Sequence, residues 1–154
     1  MAKRVKVLFL CIGNSCRSQM AEAIARHKAA DIIEASSAGL APLGEIAPPT
    51  LKVLEEEGIS AAGQYSKPLA PEALSATDLV INISGRSGAS LFRQPAPPVE
   101  DWDVKDPYSS DLEIYRGIRA EIDARVEDLA QRLRKQAGAQ QATWGSVPDE
   151  LEGA

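Results

Sequence analysis

Two side chains that could do chemistry, Cys11 and Arg17, are separated by five residues, one of which is Gly13. A glycine lets the backbone approach a ligand closely, and successive N–H groups before a helix N-terminus form an anion site. Arg17 can bind two oxygens of such an anion with its planar fork. The same donors would hold Cys11 as the thiolate, which is the nucleophilic form. The spacing therefore predicts attack by Cys11 on a tetrahedral oxyanion, above all the phosphate of a phosphomonoester.

The strand before this loop and the helix after it must place the loop at the carboxyl edge of a sheet, where α/β folds bind ligands. Residues 4–10 end in a continuous apolar run, which is typical of a buried parallel strand. After Ser18, the predicted N-cap, apolar residues recur at helical spacing. Further strands are predicted at residues 32–35, 79–83 and 99–104, helices at 50–57, 71–76 and 112–133, and a loop at 84–98. This alternation predicts an α/β fold: a single-domain open parallel β-sheet of about four strands, with helices on both faces and the phosphate-binding loop after the first strand.

Composition narrows the class of protein. The net charge of −5 argues against a nucleic-acid-binding face, and no apolar run approaches the ~20 residues that span a membrane. The apolar stretch at residues 5–12 is short and interrupted by Lys6, so no secretory signal is expected, and the two cysteines lie too close together to staple a domain. We therefore expect a cytoplasmic protein. His27 is the only histidine, so neither a metal nor another cofactor is predicted.

The chain is predicted to divide near residue 136. Residues 1–136 would form the catalytic domain, because strand and helix periodicity extends through them. Residues 137–154 lose that periodicity and are predicted to be a disordered tail.

One family matches these patterns. The run VLFLCIGNSCRSQMAEAI, residues 7–24, resembles the N-terminal signature of the low-molecular-weight protein tyrosine phosphatases, a family that also includes thiol-dependent arsenate reductases. Residues 37–39, 78–80 and 102–122 resemble its later landmarks in the same order, so the resemblance covers about residues 4–135.

The resemblance implies a role for each site residue. Cys11 would be the nucleophile, Arg17 the group that binds the transition state, and Asp106 the general acid. Asn14 and Ser18 would hold the loop and stabilise the thiolate by hydrogen bonds. The implied substrate-binding residues are Ile12, Gly13, Asn14, Ser15, Cys16, Ser18 and Tyr108.

The general acid also has a rationale independent of the family. Expelling an alkoxide or phenoxide requires a proton in the transition state. Asp106 precedes Pro107, which would hold it in a rigid turn, whereas Asp101 and Asp103 are alternatives without a following proline.

The sequence leaves several functions open. The first is a phosphomonoester hydrolase, of the protein tyrosine phosphatase type, that acts on a phosphorylated protein or a small phosphomonoester through a cysteinyl-phosphate and is inhibited by phosphate-like oxyanions. The second is an arsenate reductase assisted by a small thiol such as glutathione or mycothiol. A relay of further cysteines is excluded, because residues 81–94, INISGRSGASLFRQ, contain none. The third is a non-catalytic module that binds phosphate or a phosphopeptide.

Two neighbouring side chains also have alternative interpretations. Cys16 either forms a reversible disulfide with Cys11 under oxidation or simply packs. Trp102 is interpreted as a core residue rather than as part of the cleft.

Overall fold

The computed structural model describes residues 3–92 and 97–153, with side chains up to residue 139. Its strands are β1 (Val5–Cys11), β2 (Ile33–Gly39), β3 (Leu79–Asn82) and β4 (Val99–Asp101). Its helices are α1 (Arg17–Lys28), α2 (Pro48–Glu56), α3 (Pro71–Ser75), α4 (Gly88–Leu91) and α5 (Leu112–Gly153). The strands pair in parallel in the order β2-β1-β3-β4, which confirms the predicted open parallel sheet.

Strand β1 lies inside the sheet and is buried on both faces. Val7 and Phe9 point to the face covered by α1 and α5, while Leu8 and Leu10 point to the opposite face, where Leu74 of α3 packs. Alternate residues of a strand face opposite sides, so a continuous apolar run is what a strand between two helical layers requires.

Two element boundaries near the loop differ from the prediction. Strand β2 continues to Gly39 rather than ending at Ala35, because its polar Ser36 and Ser37 remain paired with β1. Helix α1 begins at Arg17, so the predicted N-cap Ser18 lies inside the helix, and its hydroxyl contacts Cys11 instead of capping.

The predicted loop at residues 84–98 contains the short helix α4, while residues 93–96 lie outside the described part. Helix α5 was predicted to end near residue 133 but continues to Gly153, over most of the predicted disordered tail. The alanines and glutamines of residues 137–142 favour a helix even without an apolar stripe. The division of the chain at residue 136 stays a prediction.

Helix α5 covers the sheet with a stripe of buried side chains. These are Tyr115, Ile118, Ile122, Val126, Leu129 and Leu133. Trp102 packs on the same side, with its ring centroid 6.0 Å from that of Phe9, so it belongs to the core as predicted. None of the helices within the described residues is both long and apolar enough to cross a membrane.

Candidate active site

The loop between β1 and α1 turns its carbonyl groups away from a cavity. These carbonyls accept hydrogen bonds from the segments behind the loop: Leu40 N–H to Cys11 O at 3.0 Å, Ala41 N–H to Ile12 O at 2.8 Å, Leu43 N–H to Gly13 O at 3.0 Å and Ala47 N–H to Ser15 O at 3.2 Å. Across a planar trans peptide the C=O and the next N–H point in opposite directions, so outward carbonyls turn the N–H groups inward. No hydrogen bond within the described residues uses an N–H of residues 12–16 as donor. The loop therefore presents an unused set of donors suited to an anion.

A cavity of about 210 Å³ lies over this loop. It is lined by Cys11, Ile12, Gly13, Ser15, Cys16, Arg17, Ala41, Leu43, Asp106 and Tyr108. The structure thus brings the three predicted catalytic residues together with Tyr108, although the chain separates Cys11 from Asp106 by most of the fold. The other two predicted site residues, Asn14 and Ser18, are fully buried and lie behind the loop rather than in the lining.

The guanidinium of Arg17 is held at the edge of the cavity. Its Nη1 donates to the Val104 carbonyl at 3.1 Å, and its Nη2 lies 3.6 Å from Oδ2 of Asp106. Its Nε is buried and has no hydrogen-bond partner among the described residues. A buried donor without a partner is costly unless a ligand satisfies it, so Arg17 is oriented to bind an anion over the loop.

Asp106 differs from the other two aspartates in where its carboxyl lies. Its Oδ1 accepts the N–H of Tyr108 at 3.0 Å, and the side chain stays half-exposed at the cavity. Asp101 instead accepts hydrogen bonds from the Gly88 N–H and the Asn82 amide, which is a structural role. Asp103 does not line the cavity. Of the three, only Asp106 has its carboxyl at the cavity over Cys11.

Asn14 holds the loop from behind. Its φ of 48° lies in the left-handed region, which asparagine tolerates better than most residues. Its Nδ2 donates to Ser18 Oγ at 2.8 Å and to Ser37 Oγ at 3.0 Å, while its Oδ1 accepts the Lys67 N–H at 2.9 Å. Both ends of the amide are therefore engaged, and the turn is locked.

This arrangement decides which way the Ser18 hydroxyl points. Ser18 Oγ lies 2.8 Å from Cys11 Sγ and already accepts a hydrogen bond from Asn14. Its own hydrogen is consequently free to be donated to the sulfur, which stabilises the thiolate.

The second cysteine has a different environment. Cys16 Sγ lies 3.4 Å from the hydroxyl of the buried Tyr115. Burial raises the pKa of the Cys16 thiol, and burial likewise raises the pKa of the Tyr115 hydroxyl. Cys16 therefore stays protonated at neutral pH and is not the nucleophile. Both cysteines are free thiols, and a disulfide between them stays a prediction.

Two lining residues, Ala41 and Leu43, were not found from the sequence. They follow β2 and belong to none of the motifs quoted above. The one signal in the sequence is that Leu43 is an apolar residue in a proline- and glycine-rich stretch. In the structure its side chain is 52% exposed. No cluster of three or more metal-ligating side chains occurs among the residues that the structure describes.

The site combines a cysteine and an arginine at opposite ends of an anion-binding loop, and the loop lies at the carboxyl edge of a parallel sheet. This arrangement is typical of cysteine-dependent enzymes that act on oxyanions. The family model described as low molecular weight phosphotyrosine protein phosphatase matches residues 6–140. The chain therefore belongs to this family, whose members include cysteine-based phosphatases and arsenate reductases.

Its relatives carry different activities in their names. A glutaredoxin arsenate reductase from Synechocystis sp. is 36% identical over 135 residues, which cover 83% of this chain and 98% of that protein. A protein-arginine-phosphatase from Geobacillus stearothermophilus is 31% identical over 142 residues, which cover 84% of this chain and 96% of that protein. The structure of a low molecular weight protein tyrosine phosphatase from T. tengcongensis superposes with a TM-score of 0.74 at 33% identity, covering 84% of this chain and 99% of that chain.

Proposed function

We propose that the chain hydrolyses phosphomonoesters through a cysteinyl-phosphate intermediate. The observation that carries this proposal is the convergence of Cys11, Arg17 and Asp106 on one cavity whose floor is a set of unused N–H donors. A module that only bound phosphate would need the donors and the arginine, but neither a nucleophile nor an acid.

The chemistry proceeds in two steps. In the first, the Cys11 thiolate attacks phosphorus, the ester P–O bond breaks, and Asp106 gives its proton to the leaving oxygen. In the second, Asp106 takes a proton from water, the hydroxide attacks phosphorus, and the P–S bond breaks to release inorganic phosphate and the thiolate. Arg17 and the loop N–H groups stabilise the charge on the equatorial oxygens in both transition states.

The proposed substrate is the phosphotyrosine of a protein, with small aryl phosphates as surrogates. Leu43 and Tyr108 are large, exposed apolar side chains in the lining, and they suit an aromatic ring standing over the loop. The proposal includes a cytoplasmic location and inhibition by phosphate-like oxyanions. It includes neither a nucleic acid nor a membrane as partner, in keeping with the net charge of −5.

The decisive experiment compares phosphate release from p-nitrophenyl phosphate by the wild type and by Cys11→Ser. A serine hydroxyl at neutral pH is almost wholly protonated, so turnover should be abolished while phosphate binding persists. Cys16→Ser is the matched control and should keep activity of the same order. Wild-type protein that binds phosphate but releases none from the ester would instead favour a binding module.

A thiol-assisted arsenate reductase is the second candidate, favoured by the 36% identity to the glutaredoxin arsenate reductase. A small thiol would have to supply the electrons, because the chain has no cysteine besides Cys11 and Cys16. The test is arsenite formation from arsenate with glutathione or mycothiol. A rate above that of phosphate ester hydrolysis would reverse the order of the two candidates.

A further inference from the structure

A buried carboxylate lies beneath the loop between β1 and α1, residues 12–16, which we call the nucleophile loop. Glu22 of α1 is 2% exposed. Its Oε1 accepts the hydroxyl of Ser37 at 2.6 Å, and its Oε2 lies 2.7 Å from the guanidinium of the partly exposed Arg26. A buried carboxylate is costly unless positive charge and hydrogen bonds compensate it, so the surroundings of Glu22 are constrained.

Lys67 reaches this carboxylate from the segment between α2 and α3. Its Nζ lies 3.8 Å from Oε1 of Glu22, donates to the Tyr65 carbonyl at 3.0 Å, and stands 4.7 Å from the centroid of the Tyr65 ring. Burial lowers the pKa of Lys67, while the charge of Glu22 opposes that effect. The ammonium is thus oriented from two sides.

The backbone of Lys67 is tied to the loop as well. Its N–H donates to Oδ1 of Asn14 at 2.9 Å, and its carbonyl accepts the N–H of Gly39 at 2.9 Å. One residue therefore contacts both the buried carboxylate and the asparagine that locks the loop.

These contacts set the direction of a series of hydrogen bonds. Because Glu22 can only accept, the Ser37 hydroxyl donates to it and is left to accept from the Asn14 amide. The Lys67 N–H and the Gln19 amide both donate to the carbonyl oxygen of Asn14, which turns its NH₂ group toward Ser37 and Ser18. Ser18 must then accept from Asn14 and point its own hydrogen at Cys11.

We propose that Lys67 is a positioning residue for the Cys11 thiolate. Its ammonium supports the charged form of Glu22 together with Arg26, and its N–H orients Asn14 together with the Gln19 amide. Both contacts favour the hydrogen bond from Ser18 to the sulfur. The inference rests on the proposed function in one respect only, the role of Cys11 as nucleophile.

The test measures alkylation of Cys11 by iodoacetamide as a function of pH, with the labelled cysteine located by mass spectrometry. Lys67→Met removes the ammonium beside Glu22 but keeps the backbone N–H that binds Asn14. The hydrogen bond from Ser18 to the thiolate should then weaken, so alkylation below neutral pH should slow about tenfold, as expected for coupling within one hydrogen-bond network. With p-nitrophenyl phosphate, kcat should fall by a similar factor while KM changes little. Arg17 and Asp106, the charged groups at the cavity, are unchanged in this variant.

Lys52→Met, at an exposed position of α2, is the matched control and should behave as the wild type. Lys67→Arg keeps the cation and should recover most of the alkylation rate. In the double variant Glu22→Gln with Lys67→Met, the two losses should not add, because both changes act on the same series of hydrogen bonds.

Alkylation is independent of turnover, so the two proposals can fail separately. A Cys11→Ser enzyme that retains turnover would remove the proposed function, whereas an unchanged alkylation profile in Lys67→Met would remove the role of Lys67. Thermal unfolding distinguishes a loss of stability from a change in the reactivity of Cys11. If Lys67→Met lowers the melting temperature but leaves alkylation of the folded protein unchanged, Lys67 is structural and the proposal is overturned.

Discussion

At the scale of single residues, the two charged groups at the cavity differ in how tightly they are held. Arg17 is almost fully buried and anchored to the Val104 carbonyl, whereas the Asp106 carboxyl is half-exposed. A rigid arginine suits electrostatic stabilisation, which depends on donors oriented before the reaction. A solvent-accessible carboxyl suits proton transfer, because it can exchange its proton between turnovers.

Asp106 should matter in proportion to the basicity of the leaving group. With phenyl phosphate, whose departing oxygen needs a proton, Asp106→Asn should lower kcat by about 10²–10⁴-fold. With p-nitrophenyl phosphate, whose leaving group is stable as an anion, the loss should be clearly smaller. Steady-state kinetics on both esters measures the difference.

Asp103→Asn is the control for this prediction, since Asp103 does not line the cavity, and it should show no dependence on the leaving group. Equal losses on both esters in Asp106→Asn would mean that Asp106 positions its loop through the Tyr108 N–H rather than donating a proton.

At the scale of elements, the end of β2 supports the nucleophile loop by direct backbone contact. A Cβ on Gly39 would lie 2.7 Å from the Ile12 carbonyl oxygen and 3.0 Å from the Asn14 nitrogen. Both contacts are with loop backbone, which cannot move aside without disturbing the N–H groups of the anion site. A glycine is therefore required where the strand and the loop meet.

Gly39→Ala should consequently lower the stability of the protein and distort the anion-binding loop. Overpacking at a close contact costs about 1–3 kcal/mol, and here the strain falls on the donors that bind the anion. We expect a folded protein with a lower melting temperature and weaker binding of inorganic phosphate, measured by thermal unfolding and calorimetry.

Gly117→Ala in α5 is the matched control. Nothing lies within 4 Å of a Cβ at that exposed helical position, so the change should stabilise the protein by up to about 1 kcal/mol. Unchanged phosphate affinity in Gly39→Ala would show that the loop tolerates the displacement.

At the scale of the whole molecule, α5 joins the sheet, α1 and α2 into one hydrophobic core. Its buried stripe begins at Tyr115, beside Cys16 of the nucleophile loop, and continues past Val126. The hydrophobic core therefore extends to the buried side of the nucleophile loop, and α5 covers this part of the core.

Ile122 lies in the middle of that stripe and is fully buried. Ile122→Ala should lower the free energy of unfolding by about 2–5 kcal/mol, because the lost contacts leave a cavity in a close-packed core. Denaturant unfolding measures the loss. The exposed Glu127→Ala on the same helix should stay within about 0.5 kcal/mol of the wild type. A loss below 1 kcal/mol in Ile122→Ala would mean that α5 packs more loosely than the structure indicates.

The sequence by itself determined the alternation of strands and helices and the loop that carries Cys11 and Arg17. Both depend on local patterns, namely apolar periodicity and the spacing of reactive side chains over a few residues. It also predicted the parallel sheet, because buried strands separated by helices have few other ways to pair.

The tertiary structure alone determined the features that require distant segments of the chain to come into contact. The sequence favoured Asp106 as the general acid and kept Asp101 and Asp103 as alternatives; of these three, the path of the chain after β4 places only Asp106 at the cavity. Ser18 was predicted to cap the helix, yet α1 begins at Arg17, so the Ser18 hydroxyl lies inside the first turn and contacts Cys11. The contact of Lys67 with Glu22 joins segments with no shared motif, and such long-range polar contacts have no local periodicity from which they could be predicted.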